Sequence, residues 1–191
     1  MTASSTRCWK KLNRWVALLA LILGIAPFAG ASGIDVKSAA LVRAEDGYFL
    51  EAEFDVALTP ALEDALNKGV PLYFTLEFEL IRSRWYWFNE KVAGSQQQFR
   101  LSYNALTRQY RVGVGTLYQN FTSLPEAMGF LSRVRLRDIA EPDALGKGVN
   151  YTAALRLRLD TSQLPRPFQI SAVGSRDWSV GSDWHRWTVS P

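Results

Sequence analysis

Apolar and polar residues alternate one by one along much of this chain. In residues 48–56 every second side chain is apolar, and most of the residues between them are acidic. Strict alternation places one set of side chains on one face of a strand. Because one solvated face per strand is typical of antiparallel sheets, the pattern predicts an all-β, antiparallel fold. The other stretches expected to form strands are residues 70–80, 98–103, 110–114, 133–138 and 151–160.

Two segments carry the signals of short helices instead. Thr59 can cap a helix over residues 60–69, and Ser123 can cap a second helix that runs to about Arg133. Many short strands, the turns between them and two short helices predict one β-sandwich, either Ig-like or a partly open barrel. We expect this single domain to span residues 32–191, after a signal-peptide helix.

The alternation slips by one position just after Ile81. Three polar residues come next, and four consecutive aromatic residues follow at 85–88. Four neighbouring aromatic side chains cannot all face one core from a regular strand, so we expect a bulge or a bend here. The aromatic residues belong either to a strand buried on both faces or to a surface that binds a ligand by stacking and cation–π contact. The candidate binding residues are Arg82, Arg84, Trp85 and Trp87.

The first 31 residues have the three-part organisation of a secretory signal peptide. A basic segment without acidic residues precedes an apolar run from Trp15 to Ala26, and small residues follow. The tripeptide at residues 29–31 fits the A-x-A cleavage pattern, so we expect a cut after Ala31. The alternative is a retained membrane anchor, but the apolar run is shorter than the ~20 residues that a spanning helix needs.

Removal of this segment changes what the composition indicates. The chain has 22 Lys and Arg against 18 Asp and Glu, and the whole excess lies within residues 1–31. The only cysteine, Cys8, lies there too. The mature domain is therefore neutral and free of thiols, which excludes disulfides, thiolate metal sites and a cysteine nucleophile. Its charge gives no reason to expect nucleic-acid binding, and contact with the membrane would be transient, through the signal peptide alone.

Few side chains of the mature domain suit catalysis. His185 is the only histidine and no G-x-S-x-G motif is present, so neither a zinc site nor a serine triad is indicated. We expect no metal and no cofactor. Glu77 and Glu79 could form the carboxylate pair of a glycosidase. They also fit a solvated strand face, with Arg156 and Arg158 as cross-strand partners.

Two features near the C-terminus are expected to be structural. Pro165 and Pro167 remove two backbone donors and predict an extended segment, either an edge strand or a link between sheets. Trp178, Trp184 and Trp187 are expected to anchor the end of the chain on the sandwich, because tryptophan buries a large apolar area.

Three pairs of motifs carry a family resemblance. They are GVPLYF at residues 69–74 with RWYWF at 84–88, RLSYN at 100–104 with QYR at 109–111, and LDTSQL with PRPFQ at 159–169. Together they resemble the bacterial family called domain of unknown function 4390, over nearly the whole mature chain. That family offers no established activity or catalytic residues. The resemblance implies a bacterial exported protein in the periplasm of a Gram-negative cell, and the occurrence of family members near two-component sensor kinases implies a link to envelope signalling.

Export, neutral charge and the arginine–aromatic segment favour a non-catalytic binding module of the cell envelope over an enzyme. Its expected partner is an envelope protein or a cell-wall component. The alternative is a periplasmic hydrolase that acts on an envelope polysaccharide through Glu77 and Glu79.

Overall fold

A computed structural model describes residues 33–82, 90–141, 143–172 and 174–190. Nine strands account for most of the described chain. They are β1 (Ile34–Ala44), β2 (Gly47–Val56), β3 (Leu72–Arg82), β4 (Glu90–Asn104), β5 (Gln109–Val114), β6 (Leu117–Phe121), β7 (Arg133–Ala140), β8 (Tyr151–Leu159) and β9 (His185–Val189). Three short helices accompany them: α1 (Pro60–Asn67), α2 (Leu124–Leu131) and α3 (Arg166–Ala172). Among the described residues, no helix is long and apolar enough to cross a membrane.

The strands form two antiparallel sheets that share one hydrophobic core. The smaller sheet has the order β1-β2-β7, and the larger has the order β6-β5-β4-β3-β8-β9. β1 contacts β8 and β7 contacts β4, so the smaller sheet lies over the centre of the larger one. Buried side chains of both sheets belong to the same core cluster. The predicted all-β, antiparallel fold with short helices is confirmed.

β3 lies at the centre of the larger sheet, and its alternating residues face the core and the solvent in turn. Phe74 and Phe78, two of its inward-facing side chains, are no more than 1% exposed. Phe74 lies opposite Phe99 of β4 and Leu159 of β8, so apolar pairs cross three strands on the inner face. Glu77 faces outward, opposite Arg156 of β8.

Three strands were not predicted from the sequence: β1, β6 and β9. All three lie at the edges of the sheets. Every residue of β6 except the half-buried Phe121 is exposed, and β1 mixes exposed and half-buried residues without a strict period of two. These three strands bury neither face fully, so their sequences are not forced to alternate, whereas β7, the fourth edge strand, buries Val134 and Leu136 and was predicted.

The bulge or bend expected after Ile81 stays a prediction, because residues 83–89 lie outside the described residues, but the neighbouring strand β4 has a bulge close by. The pairing of β3 with β4 shifts register between Leu80 and Ile81, while β3 continues without a shift along β8. The extra residue therefore lies in β4, at Val92, between the partners of these two residues. The aromatic residues at 85–88 lie outside the described residues.

The two predicted helices are present, and their caps are those expected. The Thr59 side chain accepts a hydrogen bond from the Leu62 N–H, and Ser123 does the same for Glu126. α2 ends at Leu131, two residues before the predicted end, because β7 begins at Arg133.

The prediction of an extended segment around the two prolines is wrong. α3 begins at Arg166, directly after Pro165, and Pro167 occupies its first turn. Proline is tolerated there because the first N–H groups of a helix have no intrahelical partner. The Gln169 side-chain amide donates to the carbonyl oxygens of Ser162 and Leu164, which fixes the start of this helix.

The C-terminal tryptophans attach the chain end at three different places. Trp178 is 8% exposed and packs on Phe168 at a ring-centroid distance of 5.5 Å. Trp187 contacts Phe78 on the inner face of the larger sheet. Trp184 lies beneath Arg156 on the outer face. The expectation that this segment anchors the chain end is therefore confirmed, although the three rings do not form one cluster.

The buried cap of α1 gives a prediction about stability. Thr59 is 2% exposed, and besides capping α1 its hydroxyl donates to the Asp177 carbonyl at 2.7 Å. We expect Thr59→Ala to lower the free energy of unfolding by about 2 kcal/mol, because it removes a buried cap and also the hydrogen bond to the Asp177 carbonyl. Ser123→Ala, at an exposed cap, is the matched control and should cost about 0.5–1 kcal/mol. Urea denaturation measures both, and equal losses would contradict the role given to the Asp177 contact.

Candidate functional site

The predicted binding residues can be located only in part. Arg82 is the last residue of β3, half-buried, and lies opposite Glu90 of β4 and Tyr151 of β8. Arg84, Trp85 and Trp87 lie outside the described residues. Whether these four side chains form one surface therefore stays a prediction.

The outer face of the larger sheet carries a cluster of one carboxylate and two guanidinium groups. Arg156 donates from Nε to one carboxylate oxygen of Glu77. Arg158 donates to the other oxygen from both Nε and Nη2, at 3.1 and 2.9 Å. β3 and β8 place these residues together because Glu77 lies opposite Arg156 and two positions from Arg158. This is the cross-strand pairing that the alternation predicted.

The environment of Glu77 keeps it ionised. Burial alone raises the pKa of this carboxyl, but the hydrogen bonds and positive charges of Arg156 and Arg158 outweigh burial and lower the pKa below its usual value. Arg156 also stacks on Trp184, with its Cζ atom 4.4 Å from the ring centroid. Glu77 therefore has no proton to give as a general acid at neutral pH.

The second carboxylate of the proposed glycosidase pair, Glu79, also has a cationic partner. Glu79 accepts a hydrogen bond from Lys91 Nζ at 2.8 Å. The hydrolase alternative therefore gains no support from this pair. The described residues also contain no group of three or more His, Cys, Asp or Glu side chains that could hold a metal ion.

A groove opens where the larger sheet extends beyond the smaller one. It has a volume of about 350 Å³ and runs between β7 on one side and β4, β5 and β6 on the other, with α2 at its end. Its apolar lining comes from the inner faces of both sheets and from α2: Phe99, Val112, Val114, Leu117, Phe130, Val134 and Leu136. We call this the β6–β7 groove. It exists because the three strands of the smaller sheet do not cover the inner face of β5 and β6.

Large apolar side chains are unusually exposed at this groove. Leu117 of β6 is 76% exposed although its register places it on the inner face of the sheet, opposite Val114. Phe130 of α2 is 38% exposed and packs on Phe121 at 5.5 Å. An apolar patch inside a rim of polar residues is typical of a binding surface.

The rim of the groove on the β7 side is basic. Arg133 and Arg135 alternate with the buried Val134 and Leu136 along β7. Arg135 is partly neutralised, since it forms a salt bridge of 3.3 Å with Glu51. The exposed Arg133 forms no ion pair within the described residues.

The comparisons with known proteins identify the family and no more. The family described as Domain of unknown function (DUF4390) matches residues 31–188. The chain belongs to this family. No curated protein and no solved structure matches it. DUF4390 membership confirms the resemblance found from the sequence motifs, and it assigns no activity to any residue.

The sequence did not point to the β6–β7 groove, although one signal of it was present. Gly115-Thr116 separates β5 from β6 as a two-residue turn, and Leu117 and Phe121 are apolar at either end of the strand that follows. Strand β6 was not predicted because a short, uncharged stretch with only two apolar positions on one face resembles a loop. The open space beside β7 depends on the relative widths of the two sheets, which no local pattern encodes.

Removal of the Glu77 carboxylate should change how stability depends on pH. Because the folded-state pKa is lowered, this group stabilises the fold above its unfolded pKa, and the stabilisation is lost as pH falls through the folded value. We expect Glu77→Gln to cost about 1–2 kcal/mol at pH 7, since two charge-assisted pairs are lost, and to weaken the acid-induced loss of stability below about pH 4.5. Urea denaturation from pH 3 to pH 7 measures this.

Glu79→Gln is the matched control for that experiment. Its side chain is 36% exposed against 18% for Glu77, and it has one cationic partner instead of two. We expect a loss of less than about 0.5 kcal/mol at pH 7. If both variants changed stability alike at every pH, the special role of Glu77 would be refuted.

Proposed function

We propose that this DUF4390 protein is an exported, non-catalytic binding module of the bacterial cell envelope, and that the β6–β7 groove receives an extended segment of a partner protein. One observation carries the proposal: the inner face of the larger sheet is uncovered beside β7, with Leu117 76% exposed. The ion pairs of Glu77 and Glu79 make a carboxylate-based hydrolase the weaker hypothesis.

The shape of the groove suits a strand. Neighbouring strands lie ~4.8 Å apart and packed sheets ~10 Å apart, so a segment paired with β7 would lie over the inner face of β5 and β6. The regular part of β7 available for pairing is Arg133–Leu136, because the register between β2 and β7 shifts beyond it. Such a segment would add a fourth strand to the smaller sheet and cover Leu117.

The alternation along β7 defines the chemistry of that segment. Val134 and Leu136 face the core, whereas Arg133 and Arg135 face outward. Residues opposite each other on paired strands face the same side of the sheet. The partner segment should therefore be apolar on the inner face and acidic on the outer face, where Arg133 has no ion pair among the described residues.

The segment around Arg82, Arg84, Trp85 and Trp87 remains a second candidate surface for a protein or a cell-wall component. It rests on the sequence pattern of arginines and aromatic residues. A role in envelope signalling rests on the family resemblance.

The export part of the proposal has its own test. The protein should be recovered from the periplasmic fraction with Ser32 as its first residue, because residues 29–31 form the cleavage pattern. N-terminal sequencing of the protein purified from cells that express the full chain measures this. Recovery from the membrane fraction with Met1 at the start would mean that residues 1–31 are a retained anchor.

The groove can be tested with two synthetic strand peptides. One has eight residues of alternating Val and Glu, and the other has alternating Val and Lys, each with a terminal fluorophore for anisotropy measurements. We expect the acidic peptide to bind and the basic peptide not to bind, because the groove rim is basic. Arg133→Glu should weaken binding of the acidic peptide about tenfold, equivalent to ~1.4 kcal/mol.

Arg43→Glu is the matched control, since Arg43 is exposed on β1 at the opposite edge of the same sheet. It makes the same change in net charge and should leave binding within about twofold of the unmodified protein. Equal binding of both peptides, or equal losses in both variants, would contradict the proposed occupant.

A further inference from the structure

β6 differs from every other edge strand that the structure describes. The edges of the two sheets are β1, β7, β6 and β9. β1 and β7 carry several charged residues and a register shift, and β9 carries Arg186. β6, with the sequence LYQNF, has no charge, no proline and no register shift against β5. Edge strands normally carry such features because they prevent pairing with another chain.

The turn before β6 determines which of its backbone groups face the open side. Gly115 has φ +59° and is the first residue of the two-residue turn between Val114 and Leu117. In such a turn the residues on either side of it are hydrogen-bonded to each other. Hydrogen-bonded and non-hydrogen-bonded pairs alternate from there, so the N–H and C=O groups of Tyr118 and Asn120 point away from β5.

The side chain of Tyr118 leaves this backbone accessible. A Cβ atom at Gly113 would lie 2.6 Å from the Tyr118 ring, so the ring lies flat over the neighbouring strand on the outer face. Asn120 is held in a similar way, since its side-chain oxygen accepts a hydrogen bond from Arg111 at 2.9 Å. Both side chains are directed toward β5 rather than across the open edge.

We propose that the protein forms a symmetric dimer in which β6 pairs antiparallel with β6 of a second copy. With the two-fold axis at Gln119, Tyr118 of each copy lies opposite Asn120 of the other, and these are the residues whose backbone groups point away from β5. The register therefore yields hydrogen-bonded pairs on both sides of the axis, and the two larger sheets become one continuous sheet.

The side chains of β6 complement themselves in this register. Leu117 of one copy lies opposite Phe121 of the other on the inner face, so an exposed apolar group gains an apolar neighbour. No charged residue of β6 faces its own copy. β7 is unsuited to the same pairing, because Arg133 and Arg135 would face the arginines of a second β7.

The contact is short, which determines the expected affinity. Five residues on each side give an interface at the small end of specific protein contacts, below about 1,200 Å². We therefore expect a dimer that dissociates on dilution rather than an obligate one. Sedimentation velocity over a wide range of protein concentration should show a shift from one to two copies.

Gln119 allows a decisive test because it would face itself across the axis, in a pair whose Cα atoms are ~4.5 Å apart. Gln119 is exposed, so a charge at this position does not enter the core. Gln119→Lys and Gln119→Glu should each stay monomeric, since equal charges would face each other. An equimolar mixture of the two variants should form a heterodimer at least as stable as the unmodified dimer.

Thr188→Lys is the matched control, because Thr188 is exposed on β9, the other edge of the same sheet. It should dimerise like the unmodified protein. The inference is overturned if the unmodified protein stays monomeric at every concentration, if both Gln119 variants still dimerise, or if their mixture does not associate. Circular dichroism of each variant checks that it is folded. None of these outcomes depends on the occupant of the β6–β7 groove.

Discussion

The fold depends on covering the apolar inner face of a six-stranded sheet with a sheet of only three strands. β1, β2 and β7 cover its centre, where Phe74 and Leu76 are fully buried. Elsewhere the covering comes from non-sheet segments, through Leu66 of α1 and Trp178 near the C-terminus. Apolar burial contributes about 25 cal/mol per Å², so these short segments stabilise the sheet as strands do. At β5 and β6 most of the covering comes from α2, and the inner face that it leaves uncovered forms the groove.

The outer face of the same sheet is exposed to solvent, but the side chains at its centre are still shielded from water. Thr75 faces outward opposite Arg158, yet it is only 1% exposed. Long side chains on neighbouring strands shield such a position while their charged ends stay in water. The pairing of Glu77 with two arginines therefore serves packing as well as charge balance. A cluster so fully paired within itself is a poor ligand site, which is why the functional argument moves to the uncovered end of the sheet.

The sequence predicted the parts of the fold in which one face is buried and the other is wet. β3 and β8 alternate strictly because every second side chain enters the core, and the charge pairing of Glu77 followed from the same pattern. Three of the four edge strands were not predicted; in β6, for example, Leu117 and its neighbours are mostly exposed on both faces. The extended segment predicted around Pro165 and Pro167 was wrong, because proline fits the first turn of a helix as well as an extended segment. The β6–β7 groove arises from the widths of two sheets assembled from distant parts of the chain.

The two open edges that border the groove carry opposite chemistry, and this separates their roles. β7 presents Arg133 and Arg135, which repel a second β7 and attract an acidic segment. β6 has no charged residue, so it repels neither an identical strand nor an apolar neighbour. The backbone groups of Tyr118 and Asn120 point along the sheet, whereas the groove is lined by inner-face side chains such as Val114. Pairing at β6 and pairing at β7 therefore use different backbone edges, while Leu117 is shared, because it lines the groove and also lies opposite Phe121 of a second copy.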